Sequence, residues 1–96
     1  MSWSWRLVED GYRTIADRQD LIRAVDLAVA GDWNGAHEIA QQDEADPTSC
    51  WIHAVLHKIE GDAGNARYWY RLAGQAYEAF PDPKAELAAI KAVLSY

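Results

Sequence analysis

The fold is decided by the octapeptide AGDWNGAH at residues 30–37, which recurs as EGDAGNAR at residues 60–67. Gly, Asp and Ala occupy matching positions in the two copies, and a run with helical periodicity lies on each side of each copy. Glycine readily takes the positive φ that follows a helix, and aspartate is a strong N-cap for the next helix. A connection this short predicts an antiparallel helical hairpin at each copy. Internal repeats with this period are typical of stacked helical hairpins.

The periodicity predicts one all-α domain over residues 1–96, because apolar residues recur at helical spacing and no long β-type alternation is present. Asp46-Pro47 and Asp82-Pro83 are typical of an N-cap followed by a proline in the first helical turn. We expect the last helix to cap the end face of the stack. The predicted elements are an N-terminal arm at 1–16, hairpin 1 at 17–44, hairpin 2 at 47–74 and a C-terminal capping helix at 82–95.

Apolar residues at helical spacing also predict which faces are buried. In the first helix they are Leu21, Ile22, Val25, Ala28 and Val29. In the third helix they are Trp51, Ile52, Val55, Leu56 and Ile59. In the last helix they are Leu87, Ile90 and Leu94, with Ala88 and Val93 widening the stripe.

Charge and cysteine content restrict the classes of partner. The chain has 9 Lys and Arg against 15 Asp and Glu, a net charge of −6 that disfavours binding to nucleic acid. No run approaches the roughly 18 apolar residues of a membrane span, so we expect no membrane partner. The single cysteine, Cys50, rules out an internal disulfide and fits a cytoplasmic location.

The second hairpin also carries a family resemblance. The run NARYWYRLA at residues 65–73 resembles the second helix of tetratricopeptide-like repeats of the SEL-like variety, with an Ala followed by Trp-Tyr-x-x-Ala. The stretch from His53 to Gly74 is similar to a group of small bacterial proteins of unassigned activity, which share His-x3-His, Glu-Gly-Asp and Asn-Ala-x-Tyr-Trp-Tyr-Arg. The resemblance covers roughly residues 17–74 and implies a scaffold that binds partners.

The third helix carries a possible metal site. Cys50, His53, His57 and Glu60 fall on one stripe, on roughly the opposite side from the apolar arc. His-x3-His is the spacing of helical zinc sites, and thiolate, imidazole and carboxylate all bind zinc. His37 of the second helix is a further candidate ligand. The alternative is that these residues form the ordinary polar side of a helix, since the chain has no Cys-x2-Cys pair.

Arg67 and Arg71 on the fourth helix allow two interpretations. With His57 and the backbone N–H groups that follow Gly61, they would suit an anion. The commoner arrangement is an internal ion pair between Glu60 and an arginine of the fourth helix.

The sequence contains no recognisable catalytic motif. Cys50 and His53 are a nucleophile and a base by residue type, but the thiol points alongside the imidazole and no oxyanion donors can be identified. The glycines at positions 61 and 64 lack the preceding strand and the lysine of a phosphate-binding loop. We therefore predict no catalytic residue, no cofactor and no enzymatic activity.

The leading hypothesis is a helical-repeat interaction module for a protein or peptide partner, or for a homodimer. Its expected surface consists of His53, His57, Glu60, Arg67, Tyr68 and Arg71. The alternative is a small-ligand or zinc-binding protein that uses Cys50, His53, His57 and Glu60.

Overall fold

The computed structural model describes residues 17–95, so the predicted N-terminal arm at 1–16 lies outside the described residues. The described part is all-helical and has no strand, as the periodicity predicted. Its elements are α1 Arg18–Val29, α2 Trp33–Ala40, α3 Pro47–Glu60, α4 Ala63–Ala73, a 3₁₀ turn Tyr77–Ala79 and α5 Pro83–Leu94. Between residues 17 and 95, no helix has the length and apolar character needed to cross a membrane.

The two Gly-Asp corners have matching hydrogen bonds. Gly31 and Gly61 have φ of +92° and +90°, and the N–H of the aspartate after each donates back into the preceding helix. Asp32 accepts from the backbone N–H of Gly35 at 3.0 Å, and Asp62 accepts from that of Asn65 at 3.2 Å. Each corner therefore ends one helix and caps the next within two residues. The helices that flank each corner pack against each other.

Helix α3 lies at the centre of the fold. It contacts α1, α2, α4 and α5, and every residue from Ser49 to His57 is buried. This corrects the expectation that Cys50, His53 and His57 lie on a polar, solvated side of the helix. A helix with neighbours on all sides has no such side.

Other expectations were wrong at the ends of elements. We expected the second helix to run from Trp33 to about Gln42, but α2 ends at Ala40, and a 3₁₀ turn lies within the connection between α4 and α5. Val29, Ile59 and Val93 are 55%, 44% and 51% exposed, although the apolar pattern placed them inside. Near the end of a short helix the neighbouring helices no longer cover the apolar stripe. Leu87, Ile90 and Leu94 are buried as predicted.

Glu86 of α5 is fully buried and joins three helices. Its Oε2 accepts from Trp51 Nε1 at 2.8 Å and from the Tyr70 hydroxyl at 2.7 Å, and its Oε1 accepts from Lys58 Nζ at 2.9 Å. Lys58 also donates to the carbonyls of Tyr77 and Phe80. Burial, together with the bond to Glu86, raises the pKa of Tyr70 far above its usual range. Because both oxygens have donors, this buried carboxylate is fully paired.

Replacement of Glu86 by alanine tests this network. It leaves Lys58 of α3 without its counter-ion, so we expect Glu86→Ala to lower the free energy of unfolding by about 3–5 kcal/mol. The control is Asp26→Asn, which removes the exposed ion pair with Lys91 at 2.8 Å and costs less than about 1 kcal/mol. Urea denaturation measures the free energy of unfolding of both variants. Equal effects would contradict the conclusion that the Glu86 network stabilises the fold.

Candidate functional site

Three imidazole rings meet where α2 packs on α3. His37 Nε2 lies 2.9 Å from His53 Nε2, and one ring nitrogen from each of His37, His53 and His57 lies within 4.8 Å of the others. We call these three residues the histidine cluster.

The position of the histidine cluster follows from helix geometry. His53 and His57 are one turn apart on α3, so their rings stack with centroids 5.0 Å apart. Helix α2 packs on α3, and His37 meets the ring of His53 edge-on, with centroids 4.6 Å apart. His53 and His57 are buried at 4% and 7% exposure, whereas His37 is half-buried.

Two indole rings hold the histidine cluster in place. Trp33 stacks on His37 at 4.7 Å and donates its Nε1–H to the Leu56 carbonyl. Trp69 stacks on His53 at 3.9 Å, with an interplanar angle of 13°. Each indole restricts the rotation of one imidazole, which lowers the entropy lost when the ring binds a ligand.

Glu60 orients the third ring. Its Oε1 lies 2.7 Å from His57 Nδ1. A carboxylate accepts a hydrogen bond from Nδ1–H, so the neutral ring carries its lone pair on Nε2. Metal-binding histidines usually have such a partner, which fixes the tautomer and raises the basicity of the ligand nitrogen.

The surroundings favour the neutral form of two members of the histidine cluster, His37 and His53. Burial, followed by the charges on His37 and His57, lowers the pKa of His53 to about 3. Burial and His57 also lower the pKa of His37. Neutral imidazole is the form that binds metals.

One nitrogen of the histidine cluster has no hydrogen bond. His53 Nδ1 is buried and unpartnered. If His53 accepts from His37 at Nε2, its own proton is on Nδ1 and has no acceptor. If His53 donates from Nε2, its Nδ1 lone pair has no donor. Either tautomer leaves a buried polar atom unpaired, at a cost of about 1–3 kcal/mol, so hydrogen bonding alone does not explain the position of this ring.

The histidine cluster fits a transition metal. Zinc binds imidazole nitrogen at about 2.0–2.1 Å, which places two ligands of a tetrahedral ion about 3.3 Å apart. The 2.9 Å between the Nε2 atoms of His37 and His53 is close to that separation. Three nitrogen donors from two helices are therefore near the geometry that a metal requires.

Cys50 does not join this group, although the sequence placed it on the same stripe. Its Sγ donates to the Glu44 carbonyl at 3.2 Å. Burial, followed by the nearby acidic side chains Asp46, Glu44 and Asp43, raises the pKa of the thiol. The protonated form is thus favoured, and thiolate is the form that binds metal. Neither of the groups of potential ligands found in residues 17–95 contains Cys50.

Glu60 and Asp62 form a second group of potential ligands with His57. Both carboxylates are exposed, Glu60 bonds to His57, and Asp62 caps α4. Glu60 thus orients His57 and is not itself a member of the histidine cluster.

The arginines of α4 lie on the surface, away from Glu60. Arg67 pairs with Glu78 at 2.8 Å and lies over the Tyr77 ring at 4.2 Å. Arg71 lies over the Tyr68 ring at 6.0 Å. The expected ion pair between Glu60 and an arginine of α4 is absent from residues 17–95, where the partner of Glu60 is His57.

The expected interaction surface is therefore divided. Glu60, Arg67, Tyr68 and Arg71 are exposed, but His53 and His57 are buried and offer no surface to a partner.

Sequence reasoning also missed the two indoles that hold the histidine cluster. One signal was available for Trp33, which lies four residues before His37 on the same helix.

Comparison with known proteins adds no assignment, because no family model, curated protein or solved structure matches the chain.

Replacement of His53 by phenylalanine tests whether the ring is placed for stability. Phenylalanine can keep the stacking on Trp69 and removes the unpaired nitrogen. In the presence of a metal chelator, we expect His53→Phe to leave the free energy of unfolding unchanged or raise it by about 1–3 kcal/mol. His53→Ala is the control, because the lost packing lowers the free energy of unfolding by about 2 kcal/mol or more. Urea denaturation distinguishes the two, and equal destabilisation would show that the ring nitrogens stabilise the fold.

Proposed function

We propose that this protein binds a divalent first-row transition metal, with zinc as the first choice, through His37, His53 and His57. The observation that carries the proposal is the meeting of three imidazoles, with one ring nitrogen of each within 4.8 Å of the others. A buried cluster of side chains of one metal-binding type that lowers the stability of the fold is typical of a functional site. Imidazole suits zinc, copper, nickel and iron, and the hydrogen bond from His57 to Glu60 supplies the orienting partner common in such sites.

We place this site within two stacked tetratricopeptide-like hairpins, α1–α2 and α3–α4, with α5 as the capping helix. The matching hydrogen bonds of the two corners support a repeated unit. On this proposal His37 belongs to the first hairpin and the other two ligands to the second. A bound metal would then link the two hairpins.

Metal binding is tested on the full chain with zinc. We expect one equivalent of zinc, detected by elemental analysis after dialysis, and a rise in Tm. A free zinc concentration 100 times Kd stabilises a folded protein by about 2.7 kcal/mol. His37→Ala, His53→Ala and His57→Ala each abolish the rise. Glu60→Gln keeps the site but weakens affinity by about 10–100-fold.

The matched control is Cys50→Ser, which changes a buried residue on the same helix that is not part of the histidine cluster. It leaves zinc stoichiometry unchanged. A wild-type protein whose Tm ignores zinc, cobalt and nickel refutes the proposal. If Cys50→Ser loses zinc, the thiol is a ligand, and the ligand set is the one predicted from the sequence: Cys50, His53, His57 and Glu60.

A second candidate function is a non-enzymatic interaction module, for a protein or peptide partner or for a homodimer. Tyr68 and Leu72, four residues apart on α4, are 49% and 48% exposed. Arg71 lies beside them and has no carboxylate within ion-pair distance in the part of the chain that the structure describes. Tyrosine and arginine are common anchors of protein interfaces.

Sedimentation of the full chain over a range of concentrations tests the homodimer form. We expect a concentration-dependent increase in mass that Tyr68→Ala and Arg71→Ala reduce. The control is Lys91→Ala, an exposed cation on another helix. If the protein is strictly monomeric and also binds no peptide or protein partner, the interaction-module function is excluded.

A further inference from the structure

We infer that a metal held by the histidine cluster keeps one coordination position for a small exchangeable ligand, either water or a monovalent anion. This inference rests on the proposed metal binding and extends it from a bound ion to a site that accepts a second species.

The first argument is the number of protein donors. Within residues 17–95 the cluster supplies three nitrogens, and tetrahedral zinc takes four ligands. The nearby side chains with the chemistry of a fourth ligand are engaged elsewhere. Glu60 Oε1 bonds to His57 Nδ1, Asp62 Oδ1 caps α4, and Cys50 Sγ donates to the Glu44 carbonyl. Three protein ligands and one open position characterise zinc sites that exchange a ligand, whereas closed structural sites have four protein ligands.

The second argument is access. His53 and His57 are buried, so α3 and its neighbours close the site from the inside. His37 is half-buried, and Glu60, which bonds to His57, is exposed, so these two residues mark the solvent-facing edge of the site. The half-buried ring of Trp33 lies against His37 at this edge. A small ligand would reach the metal from this edge.

The third argument is charge. Three neutral imidazoles leave the full double charge of the metal uncompensated by its ligands. In the described part of the fold, Glu60 bonds to His57 Nδ1, and the negative charges of Glu60 and Glu44 act on His37 from outside the ligand set. These carboxylates offset part of the charge of the metal without filling its open position. Water or a small monovalent anion is therefore the expected occupant.

Cobalt is the probe, because its visible absorption reports coordination number and ligand type. The full chain is loaded with one equivalent of cobalt and titrated with sodium azide. We expect a four-coordinate cobalt spectrum before the addition and a saturable, single-site change of the ligand-field bands during it. Cys50→Ser is the matched control and gives the same spectrum and the same response, since the thiol is not a ligand.

Each failure has a separate meaning. If cobalt binds but its bands ignore azide, the coordination sphere is closed and this inference falls, while the proposed metal binding stands. A sulfur-to-cobalt charge-transfer band that Cys50→Ser removes would also overturn it, because the thiol would then fill the position. If neither cobalt nor zinc binds, the proposed function fails and the inference fails with it.

Discussion

The structure depends on the burial of α3 on all sides. Four helices surround it, so each polar side chain along its length must find a partner inside the protein or lose its hydration without compensation. Two polar groups meet this constraint at different places on the helix. Lys58 and Trp51 bond to Glu86, which is completely satisfied. His53 and His57 meet His37, and this group keeps one buried nitrogen, His53 Nδ1, unpaired. The first network is satisfied within the fold, and the second is the one to which we assign the proposed metal binding.

The two networks also differ in how they are held. Glu86 is fixed by directed hydrogen bonds from three donors. The imidazoles are fixed mainly by aromatic stacking, with Trp33 on one ring and Trp69 on another. Stacking restrains the plane of a ring and leaves its nitrogens free, whereas a hydrogen bond uses the nitrogen itself. An aromatic wall therefore keeps ligand atoms available, and it explains part of the high tryptophan content of so short a chain.

Much of the fold follows from local sequence signals. The Gly-Asp corners and the Asp-Pro pairs lie at the helix ends that they predicted, with α3 starting at Pro47 and α5 at Pro83, because these devices act within one turn. The helical class also follows from periodicity. The end of α2 and the exposure of Val29 and Ile59 do not follow from local signals, since they depend on how far neighbouring helices extend.

The candidate site was predictable only in part. The spacing of His53 and His57 is local, but the approach of His37 and the withdrawal of Cys50 are decided by packing between helices.

Helix α5 links distant parts of the described chain in a way that a repeat pattern conceals. The partners of Glu86 on α3 are 28 and 35 positions earlier, and Lys91 on the same helix reaches Asp26 across 65 positions. In a long helical array each unit contacts only its neighbours, so units can be gained or lost one at a time. Here α5 contacts both α1 and α3, so the last helix is tied to the first as well as to the centre. Lys58 meets the carboxylate of Glu86 only when α5 has docked, which couples the last helix to the burial of α3.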